Sequence, residues 1–158
     1  MAYGFTRSEL FAAVITALDG NTSAGNNVWR YRTSEITPAQ CPAIVLLPES
    51  AQATEREPDE LVAGFPEFFT KTYAFSLSLF YVEASGGQTD TAVDQGLDAF
   101  EEQVLAIMLE PTWHAALDGF ETIESVSHTY ADPGDGDRKT AFVSLVFTVR
   151  AGRQYDAA

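Results

Sequence analysis

The strongest constraint in this sequence is a two-residue alternation that runs through Phe68–Val82 and returns in Thr140–Arg150. Tyr73, Phe75, Leu77, Leu79 and Tyr81 fall on one side of the first stretch, with Ser76 and Ser78 on the other. Ala141, Val143, Leu145, Phe147 and Val149 alternate in the same way in the second. Successive side chains of a strand point to opposite faces, so each stretch predicts a long strand with an apolar face to bury. A sheet with such a face needs a covering layer.

Two helical stretches can supply the cover. Thr6-Arg7-Ser8-Glu9 reads as a capping box, with Phe5 and Leu10 at the staple positions around it. Leu10, Phe11, Val14, Ile15 and Leu18 then form one apolar stripe, and Gly20 is a helix stop, which predicts a helix over 6–19. Val93, Leu97, Phe100, Val104, Ile107 and Met108 mark the buried face of a second helix over 91–109. Asp94, Asp98, Glu101 and Glu102 mark its wet face, and Pro111 ends it. Trp113 and Leu117 anchor a further short turn.

The other segments read as strands and connections. Val28–Arg32 alternates, with Trp29 and Tyr31 on one face and Arg30 and Arg32 on the other. Ala43–Leu47 is a short continuous apolar run with two β-branched residues, the pattern of a central strand. Phe120–Tyr130 and Thr140–Arg150 make a closing hairpin over 120–150, around the turn-forming residues Ala131–Asp137. Residues 151–158 read as a loose tail. The acidic segment 48–66 carries Glu49, Glu55, Glu57, Asp59 and Glu60 and is long for a connection inside a small domain. It reads as a long loop, either a mobile functional one or an extended hairpin arm. The fold expected is a single α+β domain over 1–158. It has one mixed, mostly antiparallel sheet, two main helices packed on one face, and long loops.

Charge narrows the partners. Twenty-three acids face nine bases, for a formal net charge of -14. Such a surface repels phosphate and an anionic bilayer alike, so neither nucleic acid nor membrane is an expected partner. The N-terminus shows no basic and apolar leader, and the apolar runs are too short to span a bilayer. Cys41 is the only cysteine, which leaves no intrachain disulfide and fits synthesis in a reducing cytoplasm.

A search for chemistry finds no catalytic pattern. His114 and His128 lie in different elements without metal-ligand spacing, and nucleophile-elbow, P-loop and dinucleotide fingerprints are absent. Glu101 and Glu102 point in different directions on a helix and read as a solvated face. Asp132, Asp135 and Asp137 lack the EF-hand pattern and are followed by Arg138 and Lys139, so they read as turn residues. No enzyme, cofactor or metal site is expected.

The order and lengths of these parts resemble the tail terminator family of long-tailed phages, the family of the lambda minor tail protein U. Thr6–Leu18 looks like that family's N-terminal helix, and Cys41-Pro42-Ala43-Ile44-Val45 like its proline-led central strand. The acidic loop from Glu49 to Glu60, the strand Tyr73–Val82, the acidic helix Asp94–Met108 and the closing strands have counterparts there too. The chain is longer than that pattern at 21–27, 58–66 and the C-terminal tail. The resemblance implies a structural virion protein, made in the host cytoplasm and located at the tail-neck junction. Its members form a hexameric ring on the last ring of tail tube protein, stop tube growth and present a surface to the head-tail connector or stopper protein. DNA would pass through the lumen without specific binding. On that reading the interface residues are Arg30 and Arg32, the loop residues Glu49, Glu55, Arg56, Glu57, Asp59 and Glu60, and Asp135, Arg138 and Lys139 of the closing turn. The competing expectations are a head-tail adaptor or tail-completion protein and a small ligand-binding α+β domain.

Overall fold

A computed structural model describes residues 4–32, 34–55, 68–82, 90–131 and 140–154. Their elements, in chain order, are α1 (Arg7–Leu18), β1 (Val28–Arg30), β2 (Ala43–Glu55), β3 (Phe68–Val82), α2 (Asp90–Met108), β4 (Phe120–Ala131) and β5 (Thr140–Gln154). Short 3-10 turns at Pro38–Gln40 and Pro111–His114 join some of them. The five strands form one mixed sheet in the order β1-β2-β3-β5-β4. Only β1 and β2 are parallel; every other neighbouring pair is antiparallel. This is the α+β architecture that the alternation and helical stripes predict.

The start of α1 follows its sequence signal closely. The Thr6 hydroxyl accepts from Glu9 N–H at 3.2 Å, and Thr6 N–H donates to Glu9 Oε2 at 2.6 Å. Phe5 and Leu10 are both buried, so the staple is closed as well. Asp19 caps the other end, and Gly20 follows with φ +75°, a conformation that a side chain would strain.

The core lies between the sheet and the two helices. Leu10, Phe11, Val14 and Leu18 of α1 and Val93, Leu97, Phe100, Val104 and Met108 of α2 close over the alternating residues of β2, β3 and β5. Phe75 sits at the centre. Its ring stacks on Phe147 at 5.5 Å and meets Phe11 edge-on at 5.7 Å. Helix α2 comes close to β3 because it carries Gly96 there. A Cβ at that position would lie 2.2 Å from the Tyr81 ring. Tyr73 ties the sheet to the chain ahead of α1, stacking on Phe5 at 5.5 Å and donating its hydroxyl to the Phe5 carbonyl at 3.0 Å.

Three sequence boundaries move. Residues Pro48–Glu55 are strand, not loop: β2 runs on beside β3 from Pro48 opposite Phe75 to Glu55 opposite Phe69, past a register shift at Pro48/Ser50. The first part of the acidic segment is therefore the hairpin arm of the two expected forms, and residues 56–66 lie outside the described residues. Strand β5 continues to Gln154, so the first part of the expected loose tail is paired, Phe68 lying opposite Gln154. At the other side of the sheet, β1 ends at Arg30 because Tyr31 turns into the left-handed region with φ 59°.

Candidate functional site: the two edges of the sheet

Strand β4 forms one edge of the sheet and β1 the other. The β4 edge is tied to α2 by an acid. His128 and Tyr130 lie opposite Leu145 and Val143 in the register, which turns both toward the helix layer, while Thr129 faces away. Glu101 of α2 reaches down to meet them. Its carboxylate accepts from the Tyr130 hydroxyl at 2.8 Å through Oε2 and is hydrogen-bonded to His128 Nδ1 through Oε1. Glu101 is only 6% exposed. Burying a carboxylate is costly unless hydrogen bonds replace its water, and the two β4 side chains do so.

This arrangement changes the acidity of Tyr130. Its phenol is pushed up to about 12, first by the hydrogen bond to Glu101, then by burial and by the negative charges of Glu101 and Asp98. The helical pattern places Glu101 with the solvated residues of α2, and the structure corrects that. Glu102 is exposed, but Glu101 is buried beside Phe100.

The β1 edge is tied to α1 by a base. The Arg30 guanidinium lies over the Phe11 ring at 5.2 Å and the Tyr31 ring at 5.0 Å. Its Nη1 is 3.4 Å from Ser8 Oγ, and its Nε is buried with no hydrogen-bond partner among the described residues. Arg32 takes another direction. It stacks on Trp29 at 4.1 Å and donates from Nη2 to Gln40 Oε1 at 3.1 Å. The expectation that Trp29 and Tyr31 share one face and both arginines the other is therefore wrong for Arg32, which joins Trp29, and for Tyr31, whose ring lies 6.3 Å from that of Phe11 beside Arg30. The left-handed Tyr31 breaks the alternation on which it rests.

Of the other sequence-predicted interface residues, Glu49 is exposed at the register shift of β2, and Glu55 is the last residue of that strand. Arg56, Glu57, Asp59, Glu60, Asp135, Arg138 and Lys139 lie outside the described residues. Among the described residues, Glu49 forms no hydrogen bond or ion pair with either arginine. The Glu101–His128–Tyr130 cluster is what sequence reasoning misses. Two signals for it are present: Glu101 stands four residues from both Leu97 and Leu105, in line with an apolar stripe, and His128 and Tyr130 share a strand face.

Elsewhere the surface offers less. Small side chains, Ala12, Ala13 and Ala17 of α1 among them, leave an apolar groove of about 690 Å³ against Ile107 and Trp113. Among the described residues no group of three or more His, Cys, Asp or Glu side chains is placed to hold a metal ion. No described helix is long and apolar enough to cross a membrane. No protein-family model matches the sequence, and none of the curated proteins compared with it does.

Proposed function

We propose that this chain is a structural virion protein that forms a ring on the head-proximal end of a phage tail tube. The ring ends tube polymerisation and offers its outer surface to the head-tail connector or stopper protein. The observation that carries this reading is the order of elements: an N-terminal capped helix, a proline-led central strand with an acidic continuation, a long strand, an acidic helix and a closing hairpin. That is the order on which the resemblance to tail terminators rests. The sheet gives the subunit a rigid frame, and its two edges carry different chemistry, as a subunit must when it contacts neighbours head to tail. In a ring the net charge of -14 would keep DNA from adhering as it passes.

The test is tube growth. Purified chain added to polymerising tube protein of the same phage is expected to bind at one end and hold tube length constant, seen by electron microscopy of negatively stained tubes. Tubes that grow on unaffected would overturn the reading. Binding to the isolated connector instead of the tube would replace it with that of a head-tail adaptor.

A further inference from the structure

We propose that copies of this chain join edge to edge, the α2–β4 edge of one copy against the α1–β1 edge of the next, with the acids of α2 facing Arg30. This deepens the ring reading above and rests on it.

Three observations lead there. The first is direction. Strand β1 is parallel to β2, and β2, β3, β5 and β4 alternate, so β1 and β4 run in opposite directions within one subunit. Copies placed side by side about an axis along the strands keep those directions. The β4 strand of one copy then meets the β1 strand of its neighbour antiparallel, the geometry in which unpaired edges bond well. The second half of the β4 edge, which holds His128, is also poorly guarded. Glu121, Glu124 and the register shifts are confined to Phe120–Ser125, and Val126–Ala131 carries no proline, lysine or carboxylate.

The second observation is height. Arg30 lies opposite Leu46, Leu46 opposite Leu77, Leu77 opposite Leu145, and Leu145 opposite His128. Arg30 and His128 are therefore the two ends of a single rank across the sheet, and both belong to the side covered by helices. Copies meeting at equal height bring Arg30 of one to the level of His128, Glu101 and Asp98 of the other.

The third is charge. Copies that each carry -14 repel one another, so a stable contact between them must set bases against acids. Arg7 opens α1 and Arg30 ends β1, and among the described residues the Arg30 guanidinium meets two rings and the Ser8 hydroxyl but no carboxylate. On the other edge, Asp98 and Asp94 are exposed one and two turns ahead of Glu102 on α2, with Glu101 held beside them by His128 and Tyr130. Glu9 at the start of α1, held by the Thr6 cap, and the exposed Asp19 at its end keep their charges, so the attraction rests on Arg30 against the acids of α2. Among the described residues, Arg30 thus stands without a carboxylate of its own chain, at the level of the acidic face of α2.

Charge reversal tests the contact, with self-association read by light scattering over a concentration series. Asp98→Arg changes an exposed helical residue, so its circular dichroism should match the unaltered chain. It is expected to weaken association at least about tenfold, as is Arg30→Glu. The double variant Asp98→Arg/Arg30→Glu, or an equimolar mixture of the two single variants, should regain it. Association unchanged in Asp98→Arg, no recovery in the double variant and the mixture, or an unaltered chain that stays monomeric at its highest attainable concentration would each overturn the proposal. Tubes that stop growing in the presence of a chain whose association ignores Asp98→Arg would leave the ring reading standing and remove this interface. Tubes that ignore a chain whose association follows the charge reversals would do the opposite.

Discussion

The β4 edge and the β1 edge both fasten a helix to the sheet, but they do it with opposite charges and unequal completeness. At β4 a buried carboxylate is met by two hydrogen-bonding side chains, Tyr130 and His128. At β1 a guanidinium is sandwiched against the Phe11 and Tyr31 rings and leaves its Nε without a partner among the described residues. Aromatic faces satisfy a cation's charge but not its directional N–H groups. The acidic edge is therefore finished within the subunit, and the basic edge is not. That difference suits a head-to-tail contact in which one edge is a fixed platform and the other supplies a cation that no carboxylate of its own chain meets among the described residues.

Substitutions can sharpen or break this comparison. The largest effect is expected where the two halves meet. Phe75 is fully buried and touches both Phe11 of the β1 side and Phe147 of the β4 side. Phe75→Ala should cost about 3–5 kcal/mol in urea unfolding, because a ring-sized cavity cannot collapse between them. A loss near 1 kcal/mol would mean that the halves are packed independently.

The next effect separates the edges. Glu101→Gln keeps the shape of the side chain and removes the charge that both β4 partners meet. We expect a loss of about 1–2 kcal/mol, and the Tyr130 phenol should titrate lower than about 12, back toward its ordinary value of 10. Tyrosinate absorbance reads the second change directly. The sign of the pH dependence follows. The folded value lies above the unfolded one, so Tyr130 contributes its stability fully below pH 10 and loses it as pH rises through about 12. A Glu101→Gln chain whose tyrosines titrate like those of the parent would break the link between the acid and Tyr130.

The smallest effect is expected on the basic edge. Arg30→Met keeps an apolar stem out to about the Nε position and deletes both the unpartnered Nε and the guanidinium over the rings; these losses and gains offset, so stability should stay within about 0.5 kcal/mol of the parent. If thermal unfolding shows it as costly as Glu101→Gln, Arg30 is as complete within the subunit as the acid is, and the contrast between the edges fails.

Much of this molecule is legible in its residues. The capping box at Thr6 and Glu9, the stop at Gly20 and the strands Phe68–Val82 and Thr140–Arg150 are all local. A hydroxyl three residues from a carboxylate, a glycine after an apolar stripe, or a two-residue alternation each directs its own backbone. Even the apolar face of α2 can be read from Val93 to Met108. The ends of strands are harder to place. Pro48–Glu55 looks like a loop because its composition is polar and begins with proline, yet it pairs with β3 along its length. Its partner, not its own sequence, makes it a strand.

The two helices, the long strands, the α+β class and the apolar stripes that make the core belong to the order of residues alone, since all follow from periods of 2 and 3.6 residues. Only packing settles the strand order, the burial of Glu101 between His128 and Tyr130, and the parting of Arg30 from Arg32 at the left-handed Tyr31. Those features join residues 27 and 29 positions apart, or turn on a single dihedral angle. A local pattern carries no information about which distant side chain will replace the water around a buried charge.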